Sequence, residues 1–288
     1  MPIEHVVVVG GGGQMGSGIA QVVAQSGLQV TLVDVDDQAL ERGIRRIERG
    51  LERFVRADKL DEAQARDARA RIVTSSDLEA AAERADHLVE SVIEDYETKC
   101  DVLRRADGVC RDDVIFASNT SQFAISKLAA ATKRPDRVIG SHWFNPPPMM
   151  GLIELIRGIE TSDGTLATTV ELAHRFGKET IVCKKDSQGF VTSRLIALLM
   201  VEAARIVDEG VADADDVNKA CRLAFNHAQG VLDTADLSGL DTVERVADNL
   251  AFHLGDRFKP PQIMRALVNA GHYGRKTGRG FGTYGDAE

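Results

Sequence analysis

The run Val6-Val7-Val8-Val9-Gly10-Gly11-Gly12-Gly13-Gln14-Met15-Gly16 constrains this chain more than any other segment, because it sets four valines directly against a glycine turn and then a helical pattern. A short β-branched run bounded by glycines reads as a buried strand. Gly11, Gly13 and Gly16 fit G-x-G-x-x-G in only one register. Each glycine answers a separate steric demand of a bound pyrophosphate. Gly11 is expected to permit the tight turn, Gly13 to let the backbone approach the phosphates, and Gly16 to let helix and strand pack closely. The following helix, spanning about 14–26, then points free backbone N–H groups and its positive dipole end at the phosphates, with Gln14 and Met15 in its first turn.

A glycine cluster alone also fits an ordinary strand-to-helix turn, so its surroundings carry the argument. A second apolar run, Gln29 to Val33, ends in Asp34, which lies 34 − 16 = 18 residues past the last glycine. That is close to the ~20 residues that separate such glycines from a ribose-binding acid. A carboxylate there accepts from the adenosine 2′-hydroxyl and repels a 2′-phosphate, which selects NAD over NADP. The competing reading of Asp34 is a cap for the helix that starts near Asp37.

At 288 residues the chain is long enough for about two domains, and 43% apolar with 27% charged residues places it among globular proteins. The apolar stretch Val6 to Val9 is far shorter than the ~20 residues of a membrane span, so the expectation is a cytoplasmic protein with no membrane partner. Cys100, Cys110, Cys183 and Cys221 show no C-x-x-C spacing, which predicts reduced core thiols and no metal site. A net charge of −9 argues against a nucleic-acid partner.

Eight short β-branched runs alternate with helical patterns: 6–9, 29–33, 71–74, 87–91, 114–118, 137–141, 152–156 and 180–184. The alternation predicts an α/β Rossmann-type domain with a mainly parallel sheet over residues 1–187. Helical stretches then take over at 191–209, 213–225, 240–254 and 261–270, predicting an all-α domain over 188–288, with a cleft between the two. Leu195, Leu198, Leu199, Glu202 and Ile206 share a face of the first of these helices, a stripe wide enough for a second copy of the chain, and hence a homodimer. The charge-rich segment 36–70 exceeds what a crossover needs and reads as a helical hairpin. Arg45, Arg49, Arg53 and Arg56 line one side of its first arm, either as a solvated face paired with Glu41, Glu48 and Glu52 or as a docking surface for the phosphates of a bulky anion such as coenzyme A.

Ala117-Ser118-Asn119-Thr120-Ser121 follows a buried strand, and His142 follows the next one, so both emerge where open α/β sheets bind ligands. Histidine is the natural proton acceptor near neutral pH. Glu154 lies 154 − 142 = 12 residues later, past a proline-rich turn able to fold its carboxylate back onto the imidazole. From spacing alone His142 is equally a histidine bonded to backbone. Glu154 is more telling, because an acid inside Leu152-Ile153-Glu154-Leu155-Ile156 must face solvent or find a partner.

Gly11 to Ala20, Ser118-Asn119-Thr120-Ser121, His142-Trp143-Phe144-Asn145-Pro146 and Lys276-Thr277-Gly278-Arg279-Gly280-Phe281 occur in the order and spacing that resemble the L-3-hydroxyacyl-CoA dehydrogenases, from about Val6 to Tyr284. The resemblance implies NAD-linked oxidation of the 3-hydroxyl of an acyl-CoA, in a Rossmann-type domain followed by a helical dimerisation domain. It implies His142 as general base, Glu154 as its partner and Ser121 as a hydrogen-bond donor to the reacting oxygen. It also places Glu94, Lys99 and Asn145 around the nicotinamide half of the cofactor, with Lys276 a further candidate. Taken without it, Glu94 and Lys99 read as a helix-start acid and a surface lysine, and Ser121 and Asn145 as turn residues.

The chain departs from the family on the substrate side. Ser193 stands where the family has asparagine, and Asn226-His227-Ala228-Gln229-Gly230-Val231 where it commonly reads His-Pro-Met-Gly-Pro. Gln122 and Gln188 replace a commoner serine and proline. Loss of the prolines predicts a looser loop. Ser193, Ser121, Arg53 and Arg56 are the expected substrate contacts, and a short acyl chain is the expected substrate. A dehydrogenase of a free β-hydroxy acid and a non-catalytic NAD-binding protein are the competing readings.

Overall fold

The computed structural model describes residues 3–285, and the chain divides into two compact units, Met1–Ser187 and Gln188–Glu288. In the first unit, β1 (His5–Val9) leads through the glycine turn into α1 (Gln14–Gln25), and β2 (Gln29–Val33) into α2 (Asp37–Arg56) and α3 (Glu62–Ala70). Then follow β3 (Ile72–Ser75), α4 (Leu78–Ala82), β4 (His87–Glu90), α5 (Tyr96–Asp107), β5 (Ile115–Ser118) and α6 (Ile125–Ala129). The unit closes with β6 (Val138–Trp143), β7 (Leu152–Arg157), α7 (Asp163–Arg175) and β8 (Glu179–Cys183).

The eight strands form one sheet in the order β3-β2-β1-β4-β5-β6-β7-β8, parallel throughout except that β6 and β7 run antiparallel. Val6, Val7 and Val8 are fully buried, as an unbroken apolar strand must be when helices cover both faces. Helix starts follow local chemistry. Asp36, Asp61, Asp77 and Asp95 each accept from a backbone amide of the first turn of α2, α3, α4 and α5, and each such cap contributes about 1 kcal/mol. Asp36 therefore takes the capping role that had competed for Asp34.

The antiparallel pair is the feature that positions the site. His142 is inside β6 rather than after it, because the strand runs on to Trp143. The turn between β6 and β7 brings His142 and Glu154 into direct register, with Ser141 opposite Leu155 and Trp143 opposite Ile153. Residues so paired stand on one face of the sheet with Cβ atoms roughly 5 Å apart.

The second unit is helical: α8 (Thr192–Asp208), α9 (Ala214–Ala224), α10 (Val231–Ser238), α11 (Leu240–Leu254) and α12 (Gln262–Asn269). Met200, Ala204, Leu232, Leu240 and Met264 are among its core. Helix α10 was not anticipated, since at eight residues it is too short to show helical periodicity. The segment without the family's prolines is pinned at its far end. Asn218 Oδ1 accepts from the Leu232 and Asp233 amides, and a Cβ on Gly230 would collide with the Asn218 side chain. The glycine-rich tail is likewise held: Asp236, 1% exposed, accepts from the Phe281 and Gly282 amides and the Tyr284 hydroxyl. Burial, together with that bond to Asp236, holds the Tyr284 phenol protonated well above its ordinary range.

Candidate active site

The glycine turn is built around backbone contacts that exclude side chains. The positive φ falls on Gly10, at +89°, and not on Gly11 as the motif register had implied. A Cβ on Gly11 would instead strike the Leu32 side chain, and one on Gly16 would strike the Gly10 carbonyl, so the helix sits directly on the turn. Gly13 is exposed and begins α1, which has no side-chain cap and no acid in its first turn, unlike the helices from α2 to α5. Its first amides and dipole are thus left for an anion. Beside them lies a hollow of about 580 Å³ lined by Gly10, Gly12, Gly13, Asp34, Arg42 and Ile93. Asp34 is fixed at its rim by the amides of Gly12, at 2.7 Å, and Val35, at 2.8 Å.

Next to the turn, the ends of β4 and β5 are joined by buried charge. Lys99 is 1% exposed, and its ammonium bridges Glu90 at 2.8 Å and Glu94 at 3.1 Å. This overturns the surface-lysine reading of Lys99, and Glu94 is not a helix-start acid, since Asp95 caps α5. Glu90 also accepts from Ser118 Oγ at 2.5 Å and from the Val92 amide at 2.8 Å. Glu94 Oε1 accepts from the Thr120 hydroxyl and from the amides of Ser121 and Gln122 at 2.9 and 3.1 Å. The turn carrying Ser121 is therefore shaped by a carboxylate whose own position is set by a buried lysine. Glu90 escaped sequence reasoning, although it ends the wholly buried strand His87-Leu88-Val89-Glu90 and poses the same question as Glu154.

On β6 and β7, His142 Nδ1 lies 3.0 Å from Glu154 Oε2, with Glu154 fully buried and His142 nearly so. Facing a carboxylate, Nδ1 must donate, which places the accepting lone pair on Nε2. Glu154 Oε1 accepts from Cys183 Sγ at 3.4 Å, and the Phe144 ring tilts against the imidazole with centroids 4.8 Å apart. Ser118 pairs with Gly140 across β5 and β6, so Thr120 and Ser121 leave the sheet level with His142. Asn119 Oδ1 ties that turn to β6 by accepting from the Trp143 amide at 2.9 Å. Ser121 is half-buried, and its hydroxyl makes no hydrogen bond among the described residues.

The remaining sequence candidates are distributed unevenly. Gln14 Nε2 donates to Asn145 Oδ1 at 2.9 Å, linking the start of α1 to the loop after β6, whereas the Met15 side chain packs into the core. A second hollow of about 640 Å³ is lined by Gln14, Arg46, Arg49, Arg53, Lys59 and Met149. The arginine stripe divides there. Arg53 and Arg49 face this hollow, whereas Arg45 pairs with Glu41 at 3.2 Å and Arg56 with Glu52 at 3.3 Å on the solvated side. Arg56 is not among the residues lining this hollow. Arg46, absent from the sequence reading, enters the hollow and bonds the Gly12 carbonyl at 2.5 Å. The opposite wall is held by Lys178, whose buried ammonium donates to the Pro147 and Met150 carbonyls at 2.9 and 2.7 Å; burial pushes it below the usual lysine range. In the second unit, Ser193 is in the first turn of α8. Lys276 donates to Asp241 at 2.5 and 2.7 Å, a partner within its own unit.

An uncapped helix start, a turn closed to side chains and an acid after β2 together fit a dinucleotide with an unphosphorylated ribose. No cluster of metal-ligating side chains occurs among the described residues. Comparison with known proteins agrees. Residues 5–187 match the family described as 3-hydroxyacyl-CoA dehydrogenase, NAD binding domain, and residues 189–284 match its C-terminal domain. A probable 3-hydroxybutyryl-CoA dehydrogenase of Bacillus subtilis is 40% identical over 285 residues, covering 99% of this chain and 98% of that protein. The mitochondrial hydroxyacyl-coenzyme A dehydrogenase of Sus scrofa is 35% identical over 291 residues, covering 98% and 91%. The crystal structure of (S)-3-hydroxybutyryl-CoA dehydrogenase from Ralstonia eutropha superposes with a TM-score of 0.95 at 41% identity, covering 99% and 100%. With both domains matched end to end, the chain belongs to the 3-hydroxyacyl-CoA dehydrogenase family of NAD-dependent oxidoreductases.

Proposed function

We propose that the chain interconverts a short-chain (S)-3-hydroxyacyl-CoA, such as 3-hydroxybutyryl-CoA, and its 3-keto thioester, with His142 and Glu154 as the proton-handling dyad. The observation that carries this reading is the 3.0 Å bond between His142 and a fully buried Glu154 at the edge of the sheet where Ser121 emerges. Bound NAD supplies the hydride acceptor for C3, held by the α1 amides, Gly13 and Asp34. His142 Nε2 takes the proton of the 3-hydroxyl, and Glu154 meets the resulting imidazolium with a carboxylate already in place. Ser121 donates to the same oxygen. In the reverse direction the imidazolium returns the proton to the carbonyl oxygen. A positioned general base is worth ~10²–10⁴-fold in rate.

For the coenzyme A portion, the hollow bearing Arg46, Arg49, Arg53 and Lys59 supplies cations for phosphates beside the start of α1. Ser193 is assigned to the substrate on the family resemblance alone. Partnership with a second copy is supported by the exposed apolar residues of α8, Leu195 at 60% and Leu199 at 39%. No helix among the described residues is long and apolar enough to cross a membrane, and a cytoplasmic location is part of the same proposal.

The decisive experiment compares NAD reduction with (S)-3-hydroxybutyryl-CoA and with free (S)-3-hydroxybutyrate. Turnover of the thioester alone supports the reading. Equal turnover of the free acid makes the cationic hollow irrelevant, and no turnover of either leaves a binding protein. His142→Gln is expected to keep NAD affinity and lose turnover by about two orders of magnitude or more.

A further inference from the structure

A carboxylate that orients a catalytic imidazole must itself be oriented. Glu154 is fully buried, and only one of its oxygens, Oε2, is spent on His142. The terminal torsion of a glutamate is broad and roughly two-fold, so a single bond to Nδ1 does not set the plane of the carboxylate. The second oxygen lies 3.4 Å from Cys183 Sγ, within reach of a thiol S–H donor. Cys183 ends β8, in register with Ile156 on β7, and it is the one buried residue of a strand whose other four positions are half-buried or exposed. Its thiol is thus held in place by the ladder of a strand that otherwise faces outward.

We infer that Cys183 is a positioning residue for the dyad: its S–H donates to Glu154 Oε1 and keeps Oε2 aimed at His142 Nδ1. The inference rests on the proposed role of His142 and Glu154. It explains a choice of residue that packing does not, since valine fills a buried strand position as well as cysteine but leaves that carboxylate oxygen without this donor. Cys183 is 6% exposed. Its effect on turnover runs through the carboxylate, and NAD binding does not depend on it.

The test is a set of three variants, Cys183→Val, Cys183→Ala and Cys183→Ser, assayed for kcat and for the KM of NAD, with the His142 Nδ1 proton resonance followed by NMR. Loss of one orienting hydrogen bond predicts a fall of roughly three- to tenfold in kcat for C183V and C183A at unchanged KM for NAD. The Nδ1 proton signal should move or broaden in both. C183S, smaller but still a donor, should recover most of the turnover and the wild-type signal. Wild-type kcat in C183V and C183A overturns the inference. So does an equal loss in all three variants, which would mean that only the volume of the side chain matters. H142Q measured alongside separates the two levels: if H142Q retains turnover the dyad reading itself fails, whereas an inactive H142Q with unaffected Cys183 variants refutes the positioning role alone.

Discussion

Replacing Glu154 by glutamine is the most direct probe of the dyad, because it removes a charge while keeping the shape. The structure sets the magnitude. The carboxylate is fully buried and 3.0 Å from the imidazole nitrogen. Unit charges about 4 Å apart interact by ~4 kcal/mol at an effective dielectric constant of 20. A glutamine oxygen can still accept from Nδ1, so part of the orientation survives, and the loss falls on the imidazolium formed during the reaction. About 2–4 kcal/mol is then withdrawn from the transition state, equivalent to a fall of roughly 30- to 1,000-fold in kcat. Folding should persist, since glutamine leaves no buried charge without a partner, which is the costly outcome of breaking such a pair from the other side. Steady-state NAD reduction with 3-hydroxybutyryl-CoA gives kcat, and fluorescence titration with NADH gives cofactor affinity, which should not change. A kcat within threefold of wild type, in a variant that melts normally, would refute the electrostatic role and reduce Glu154 to a ladder residue.

Three other perturbations test separate parts of the molecule. Asp34→Ser removes the carboxylate at the rim of the glycine-turn hollow, and should weaken NAD selectively while narrowing its advantage over NADP; equal use of NADP by the native protein would contradict the ribose assignment. Charge reversal of Arg49 and Arg53 together should raise the KM for the acyl-CoA at least tenfold and spare that for NAD. The same reversal at Arg45 and Arg56, which are answered by Glu41 and Glu52, should do little to either. His87 is fully buried, and burial pushes it down to about 4 from 6.5. The unfolded chain therefore binds a proton that the folded one refuses between those values. Above pH 6.5 both states are neutral and this linkage contributes nothing, and stability falls as the pH drops from 6.5 towards 4, by about 3 kcal/mol in all. Urea unfolding of His87→Leu should show a flatter pH dependence across that window, and an unchanged slope would place the acid sensitivity elsewhere.

Most of the architecture was legible because it rests on local physics. Strands buried on both faces must be apolar throughout, so Val6–Val9 and Leu152–Ile156 stand out, and a parallel sheet demands the helices that separate such runs. His142 and Glu154 were legible for a related reason, an acid in an apolar strand being costly unless partnered. What escaped depended on how neighbouring side chains turn in three dimensions. Nothing near Lys99 indicates that Glu90 and Glu94 surround it, nine and five residues back across a strand end. The periodicity that grouped four arginines on α2 could not say that Arg45 and Arg56 face glutamates while Arg53 faces a hollow; small rotations around one helix decide it. Gly10, and not Gly11, takes the left-handed conformation because the turn begins one residue earlier than the motif suggests.

The two buried strand acids show how one physical problem has two solutions. Glu90 is answered by Lys99, by a serine hydroxyl and by a backbone amide, an ion pair that joins the ends of β4 and β5 beside the Ser121 turn. Among the contacts of Glu154 are an imidazole and a thiol, groups without a fixed positive charge. In the proposed reaction a full ion pair forms there when His142 takes the proton of the substrate hydroxyl. On that proposal the buried carboxylate acts by electrostatic preorganisation: its field is built during folding and would be used when the imidazolium forms. Exchanging the two partners would abolish the distinction, since a lysine at position 142 would hold Glu154 as firmly as Lys99 holds Glu90 and leave no nitrogen lone pair to accept the hydroxyl proton.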